Sequence, residues 1–277
     1  MSNLKKTYNI LKVKDKNEKF YSTKETISDL PARILIIGKS QLSGKTNFLC
    51  NILGQENFYL NDFKGENIFL ISGSVKNDNK LQNLIECKEI EHQNIYSHYD
   101  EELLEAIYDM IQEEFEENIE NKKQPENYLM IFDDMSFSGI FKGKNFGVIN
   151  KMFSNGRHIN LSVIVTAQKY SDIMTSAREN MTLGIFFNCS DKQLDLITDD
   201  INYITTKKNF KKKFRETTRE KHSFFVVNFT NKPDEMYLNK NFEPINMDEE
   251  DNLKPALKNN DYKIKYDNIS PTEQNEK

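Results

Sequence analysis

Short apolar runs alternate with amphipathic segments through most of the chain, and this alternation predicts the secondary structure. The predicted strands are RILIIG, NIFLISGS, YLMIFDD, SVIVTAQ, LGIFFNC and SFFVVNF, with EMYL as a hairpin partner of the last. Their continuous apolar character is typical of strands that are buried on both faces. Because helical segments separate these strands, the sequence predicts an α/β fold: a mainly parallel sheet covered by helices on both faces.

The helices are predicted from apolar residues at helical spacing. The segment KTNFLCNIL has this spacing and ends at Gly54. Residues 100–122 predict a longer amphipathic helix with a very acidic outer face. Its apolar face is expected to consist of Leu103, Leu104, Ile107, Met110, Ile111, Phe115 and Ile119. Further helices are expected near 146–155, near 171–180 and within the charged segment 190–222.

The two ends of the chain differ from its middle. Residues 1–30 are polar and are followed by Pro31, so we expect an N-terminal arm. Residues 31–240 hold all the predicted strands and form the expected domain. From 241 to 277 the chain is polar and has no apolar period, which predicts a disordered tail.

Composition narrows the class of protein. The three cysteines are too few and too scattered for a disulfide framework, and the four histidines have no metal-ligand spacing. We expect no signal peptide and no membrane-spanning helix, because no apolar run is long enough. The net charge of −5 does not indicate a nucleic-acid binder, although a local basic patch would suffice.

The first strand leads into a glycine-containing loop that resembles a phosphate-binding loop. The usual pattern is G-x-x-x-x-G-K-[ST], and here Gly44, Lys45 and Thr46 stand in their places at a helix start. Gly38 lies one residue early, and Lys39 holds the nominal glycine position. Backbone N–H groups, Lys45 and Thr46 would bind phosphates and Mg²⁺; the alternative is a chance strand–turn–helix. The predicted loop comprises Gly38, Lys39, Ser40, Gln41, Leu42, Ser43, Gly44, Lys45, Thr46 and Asn47.

Two further strands end in polar residues that suit phosphate chemistry. YLMIFDD ends in Asp133 and Asp134. Asp133 would hold the metal and Asp134 would act as general base toward water, unless both simply cap a turn. SVIVTAQ ends in Gln168, whose amide would reach the γ-phosphate or the attacking water. Arg157 and Arg178 flank this strand. Either could act on phosphate or simply form an ion pair at the surface.

These motifs together carry a resemblance. GKSQLSGKT, YLMIFDD, GRHINLSVIVTAQ and ARENMTLGIFFNCSD follow one another in this order. They resemble the FtsK–HerA superfamily of DNA-pumping ATPases, and most closely its viral genome-packaging branch, which includes the poxvirus packaging ATPases. The similarity covers roughly residues 31–230. The chain departs from the pattern in the extra loop residue and in an Asp, rather than a Glu, as second acid.

The resemblance implies a RecA-like P-loop NTPase of the ASCE type that packages viral DNA into a capsid. It implies ATP and Mg²⁺ as cofactors, DNA bound without reading its sequence, and a ring of identical subunits. Capsid or membrane vertex proteins would be further partners, in the host cytoplasm, the viral factory or the virion. By position, Gln168 is the sensor and Arg157 is the arginine finger, with Arg178 as second choice.

Three other functions are compatible with parts of the sequence. A bacterial or plasmid DNA-transfer ATPase of the same superfamily would share all these motifs. Asn231-Lys232-Pro233-Asp234 matches the guanine-reading N-K-x-D motif of GTPases, but also reads as an ordinary β-turn. A non-enzymatic virion assembly protein could retain a relic loop; the intact Lys45, Thr46 and Asp133 argue against it.

The segment 207–221, KKNFKKKFRETTREK, is the strong basic patch of an acidic chain. Lysines and arginines alternate there with Phe210 and Phe214. A DNA pump needs phosphate contacts that do not read sequence, which this segment would supply. The alternative is a solvated helix face, and the sequence leaves both interpretations open.

Overall fold

The sheet at the centre of the molecule has the strand order β3-β2-β4-β5-β1-β6-β7-β8 in a computed structural model that describes residues 22–40, 43–134 and 147–248. Neighbouring strands from β3 to β6 pair in parallel, whereas β7 and β8 are antiparallel. The strands are β1 (Arg33–Ile37), β2 (Ile68–Ser72), β3 (Ile95–Tyr96), β4 (Tyr128–Asp133), β5 (Leu161–Ala167), β6 (Leu183–Phe187), β7 (Phe224–Asn228) and β8 (Tyr237–Leu238).

Helices cover both faces of this sheet. They are α1 (Lys45–Gly54), α2 (Asn79–Lys88), α3 (Glu101–Glu120), α4 (Gly147–Asn155), α5 (Thr175–Glu179), α6 (Asp191–Ile201) and α7 (Lys207–Thr217). Residues from α1 and α2 share one hydrophobic core with strand side chains of one face. Residues from α3, α4, α6 and α7 share the core on the other face. All residues of β2, β4, β5 and β6 are buried, which explains their continuous apolar runs.

The predicted fold class is confirmed, and so is each predicted apolar strand. The predicted hairpin is also present, since β8 pairs with β7. Helix α2 and the short strand β3 were not predicted, because neither has a long apolar period. The helix expected near 171–180 is shorter than predicted: a 3-10 turn at Tyr170–Asp172 precedes the five-residue α5.

The apolar face predicted for α3 is wrong at two positions. Leu104, Ile107, Ile111 and Phe115 are buried, but Met110 is 43% exposed and Ile119 37% exposed. Met110 lies about 120° around the helix from Leu104, and Ile119 lies in the last turn. Tyr108 occupies the buried face instead.

Parts of both predicted end segments pack against the domain. In the predicted arm, Ile27 and Leu30 are buried and Ser28 donates a hydrogen bond to Thr182 at 2.9 Å. In the predicted tail, Phe242 packs against Phe48 and Met247 is buried. One structural unit extends to Met247. The rest of the predicted arm and tail, residues 1–21 and 249–277, lies outside the described residues, so the domain limits stay a prediction.

Candidate nucleotide-binding site

The predicted phosphate loop, the acidic pair and Gln168 converge at the carboxyl ends of three neighbouring parallel strands. β5 lies between β1 and β4, so Gln168 follows a strand flanked by the loop strand and the acidic strand. Ligands of open parallel sheets bind at this edge, outside the carboxyl ends of the strands. The topology therefore brings together three motifs that are far apart in the sequence.

Both glycines of the loop are required by its backbone. A Cβ atom on Gly38 would lie 2.6 Å from the Cβ of Ser43 and 2.9 Å from that of Phe187. Gly44 has a φ of 97°, in the region that L-residues rarely adopt. The Ser43 hydroxyl donates to the Lys39 carbonyl at 2.7 Å. The two described ends of the loop thus lie close together; Gln41 and Leu42 lie outside the described residues.

Lys45 is the buried cation of the loop. It begins α1, and its Nζ donates to the Gly38 carbonyl oxygen at 2.9 Å. Burial lowers the pKa of Lys45, while the nearby carboxylates of Asp134 and Asp133 raise it. The ammonium group therefore lies at the start of a helix, where backbone N–H groups also favour an anion.

Asp133 is held rigidly between its two neighbouring strands. It is 2% exposed, and its Oδ1 accepts a hydrogen bond from the Thr166 hydroxyl at 2.7 Å. Its Oδ2 accepts one from the Ser72 hydroxyl at 3.2 Å. Burial raises the pKa of Asp133, and these two hydrogen bonds oppose the rise. Ser72 and Thr166 were not predicted from the sequence, since nothing marks them until strand register places them beside Asp133.

Asp134 has a different environment. It leaves the strand with a φ of 48°, and its backbone N–H donates to the Thr166 hydroxyl at 2.9 Å. The Gln168 amide nitrogen lies 3.1 and 3.2 Å from its two carboxylate oxygens. The predicted general base and the predicted sensor are therefore in direct contact.

A cavity of about 340 Å³ opens at this edge of the sheet. Its described lining residues are Ser40, Ser43, Gly44, Lys45, Thr46, Asn47, Ser74, Asp78, Lys80, Asp133 and Asp134. Ser74 and Asp78 come from the β2–α2 connection and Lys80 from the first turn of α2; none of the three was predicted. Asp78 caps α2 by accepting hydrogen bonds from backbone N–H groups. An Asp directly before a helical segment is the one feature of the sequence that could have pointed to it.

Comparison with known proteins decides the family. Residues 17–270 match the family model described as Poxvirus A32 protein. The chain belongs to the Poxvirus A32 protein family. The resemblance seen in the sequence is thereby confirmed. Among curated proteins, no sequence matches this chain.

Two solved structures are similar to this A32 family member in fold. One is the genome packaging NTPase B204 from Sulfolobus turreted icosahedral virus 2 in complex with AMP. It is 16% identical over 78% of this chain and 98% of that chain, with a TM-score of 0.52. The other is B204, the DNA-packaging ATPase from Sulfolobus turreted icosahedral virus. It is 15% identical over 78% and 98% of the two chains, with a TM-score of 0.50.

In this A32 family protein, Arg157, the first choice for the arginine finger, lies at the opposite edge of the sheet from the loop. Arg157 belongs to a 3-10 turn, Gly156–Ile159, directly before β5, whereas Gln168 directly follows that strand. A seven-residue strand is roughly 23 Å long, so Arg157 cannot reach its own loop. Arg157 is exposed. Arg178 forms an ion pair with Asp200 and lies 5.1 Å from the ring centre of Tyr170.

Part of the basic segment 207–221 of the A32 family protein forms ion pairs within the same chain. Three of its cations, one turn apart on α7, pair with three aspartates one turn apart on α6. The pairs are Lys207–Asp199, Lys211–Asp195 and Arg215–Asp191. Phe210 and Phe214 are completely buried in the core. The aromatic side chains of this segment are therefore structural and are not available to stack on nucleotide bases.

The N-K-x-D match is a turn far from the phosphate loop. β7 is antiparallel to β6, so Asn228 at its end pairs with Leu183 at the start of β6. Asn231 follows this end, opposite the edge that holds Lys45. Its amide donates to the Glu235 carbonyl at 3.1 Å, which closes the turn. The structure thus contradicts a guanine-reading role for this motif.

None of the helices in the described part of the chain has the length and hydrophobicity needed to span a bilayer.

Proposed function

We propose that this A32 family member hydrolyses ATP and uses the energy to move viral DNA into a capsid. The observation that carries the proposal is the meeting of Lys45, Asp133, Asp134 and Gln168 at one edge of the sheet. Family membership and the fold shared with a protein described as a DNA-packaging ATPase support it. The family match favours a viral protein over a bacterial or plasmid DNA-transfer ATPase.

Lys45 and the backbone of the loop bind the phosphates in this proposal. The first residues of α1, whose N–H groups have no partner within the helix, line the same cavity as Lys45. Because Lys45 is buried, its charge acts on the γ-phosphate with little screening by water. It stabilises the negative charge that develops in the transition state.

Thr46 and Asp133 suit a magnesium ion by their chemistry. Both offer oxygen donors to the same cavity, and hard cations such as Mg²⁺ prefer oxygen ligands. Asp133 carries two hydrogen bonds that fix its carboxylate before any ligand arrives. When bound, Mg²⁺ neutralises charge on the β- and γ-phosphates.

Asp134 and Gln168 act on the attacking water. Asp134 accepts its proton, because this carboxylate lines the cavity and is less enclosed than that of Asp133. Gln168 holds Asp134 in place through its amide and can exchange that contact for one to the water or the γ-phosphate.

A ring of identical subunits completes the site. Arg157 is exposed at the edge opposite the loop, so it is placed to serve the loop of a neighbouring subunit. Arg178 is the weaker choice, since it is already paired with Asp200. The ring would enclose DNA, dock on capsid or membrane vertex proteins, and work in the host cytoplasm, the viral factory or the virion.

The test is ATP and GTP turnover by the purified protein, with and without double-stranded DNA. We expect ATP hydrolysis that DNA stimulates and that Lys45→Ala nearly abolishes. A strong preference for GTP would contradict the proposal. Turnover of neither nucleotide in the presence of Mg²⁺ and DNA would favour a non-enzymatic role in virion assembly.

A further inference from the structure

Three consecutive residues at the end of β5 contact both the phosphate loop and the acidic pair. The Ala167 carbonyl accepts a hydrogen bond from the backbone N–H of Gly38, the first residue of the loop, at 3.0 Å. Thr166 contacts both members of the acidic pair, and Gln168 contacts the second of them. Because β5 lies between β1 and β4, its end fixes the loop and the two carboxylates relative to one another.

The hydroxyl group of Thr166 makes two hydrogen bonds of opposite direction. It donates to the Oδ1 of Asp133 at 2.7 Å, and it accepts from the backbone N–H of Asp134 at 2.9 Å. A backbone N–H can only donate, so the single hydroxyl hydrogen is left for the carboxylate. Thr166 therefore connects the side chain of one acidic residue to the backbone of the next.

Packing alone does not require a threonine at this position. Thr166 is 1% exposed, and valine has nearly the same shape and is equally well suited to a buried strand. Burying a hydroxyl group costs free energy unless the group is hydrogen-bonded. The two bonds to the acidic pair are therefore what a threonine provides here and a valine would not.

The bond to Asp134 holds an unusual backbone conformation. Asp134 has a φ of 48°, in the left-handed region that residues other than glycine seldom adopt. Such a conformation persists only where the surrounding structure holds it. β4 ends at Asp133, so Asp134 is the first residue past the strand. Without the Thr166 hydroxyl its backbone could rotate, and the carboxylate that lines the cavity would move with it.

The bond to Asp133 orients this carboxylate and leaves it able to bind a cation. A carboxylate has about four lone-pair sites, and the hydroxyl groups of Thr166 and Ser72 occupy two of them. Neither hydroxyl group is charged, so the negative charge of Asp133 is not neutralised by them. Groups that hold a metal ligand in this way fix its orientation toward the metal.

We propose that Thr166 is a positioning residue that sets the metal ligand Asp133 and the base Asp134 relative to each other. The inference rests on the proposed function, which supplies those two roles. Ser72 provides a comparison, because its hydroxyl contacts Asp133 but not Asp134. Loss of the Thr166 hydroxyl should therefore impair both metal-dependent binding and hydrolysis, whereas loss of the Ser72 hydroxyl should impair mainly the binding.

The test measures ATP affinity by calorimetry, with Mg²⁺ and with EDTA, and the single-turnover rate at saturating ATP in the presence of DNA. In Thr166→Val, the Mg²⁺-dependent affinity and the rate should each fall about tenfold or more, as is usual when the support of a metal ligand is lost. Affinity in EDTA should not change. Thr166→Ser keeps the hydroxyl group and should behave as the wild type does.

Two matched substitutions separate positioning from a general loss of stability. Ser72→Ala should lower the Mg²⁺-dependent affinity but slow hydrolysis less than Thr166→Val does. Thr198→Val makes the same exchange at an equally buried threonine, whose hydroxyl donates to the Leu194 carbonyl within α6 at 2.6 Å. Thr198→Val should alter neither quantity.

A double variant shows whether Thr166 acts on hydrolysis through Asp134. Residues that act through one another have non-additive effects. Thr166→Val should therefore slow the Asp134→Asn protein much less than it slows the wild type. Equal slowing in both backgrounds would overturn the inference. So would an unchanged rate and affinity in a folded Thr166→Val protein, or a Thr166→Ser protein as impaired as Thr166→Val.

If Thr166→Val does not fold, Thr166→Cys takes its place. Serine and cysteine differ in one atom, and a thiol is a much weaker hydrogen-bond donor than a hydroxyl. Thr166→Cys should then show both defects, and a Cys variant as active as Thr166→Ser would contradict the inference. A wild type that hydrolyses no ATP with Mg²⁺ and DNA would instead contradict the proposed function, and the inference would fall with it.

Discussion

At the level of single residues, the adjacent carboxylates of Asp133 and Asp134 have different surroundings. Asp133 is buried and accepts hydrogen bonds from two hydroxyl groups, whereas Asp134 meets an amide at the cavity. Neighbouring titratable groups with contrasting environments commonly divide the roles in a reaction. The geometry suits Asp133 for a fixed metal ligand and Asp134 for a base that must be free to accept a proton.

This division predicts different defects for two matched substitutions. Asp134→Asn should bind Mg²⁺–ATP like the wild type but hydrolyse it slowly, because the amide cannot accept the proton. Asp133→Asn should mainly weaken metal-dependent binding of ATP. Titration and single-turnover hydrolysis separate the two effects. If Asp134→Asn loses ATP binding while Asp133→Asn retains it, the assigned roles are reversed.

The residues that sequence reasoning identified are those inside local motifs. Lys45, Asp133 and Gln168 stand at strand or helix ends that the apolar pattern marks. Ser72 and Thr166 were missed because their role depends on strand register.

At the scale of elements, the strands were predictable because burial on both faces leaves continuous apolar runs. The helices on the outside of the sheet were less predictable. The apolar stripe predicted for α3 is broader than the face that the helix buries. The basic residues of α7 form ion pairs with the aspartates of α6. A charge pattern does not distinguish an intramolecular partner from an intermolecular one, so only the structure reveals the three ion pairs.

We expect Lys208 and Lys213 to contribute to the DNA contact predicted for α7. Lys208 is exposed and Lys213 is half-buried. Changing both to Ala should weaken DNA binding and reduce its salt dependence, since fewer counterions would be released. The matched control changes Lys207 and Lys211, whose charges already face Asp199 and Asp195.

Binding is measured by fluorescence anisotropy over a series of salt concentrations, with the thermal midpoint as a check on folding. The control pair should alter DNA affinity less than the Lys208 and Lys213 pair. If DNA affinity and its salt dependence are unchanged in the double variant Lys208→Ala, Lys213→Ala, then α7 does not bind DNA and its basic residues only face solvent.

At the scale of the whole molecule, the sheet separates the loop from its proposed finger. Lys45 lies at the carboxyl edge and Arg157 at the amino edge. The described residues that line the cavity include no arginine. A head-to-tail ring would supply one at every interface. An arginine finger contributes about 10³-fold or more to the rate of such reactions.

This arrangement predicts complementation between two inactive proteins. Arg157→Ala should bind ATP normally and hydrolyse it poorly, and Lys45→Ala should be inactive. Mixed rings would combine an intact loop from the first with an intact finger from the second, so activity should partly return. The rate is measured after subunit exchange, with mixed rings verified by native mass spectrometry.

Mixed rings that remain as inactive as the parents would show that Arg157 does not act on a neighbour. The same mixture with Arg178→Ala then tests the second arginine. Since Arg178 pairs with Asp200, its loss should also lower the thermal midpoint, whereas loss of the exposed Arg157 should not.

An ATP-driven DNA motor must move along DNA. A labelled third strand is annealed to duplex DNA as a triplex, and its displacement is followed after the protein and ATP are added. We predict displacement by the wild type with ATP, and none by Asp134→Asn, which binds ATP without rapid hydrolysis. Displacement that is equally fast in Asp134→Asn, or absent in a wild type whose ATP hydrolysis DNA stimulates, would contradict an ATP-driven DNA motor.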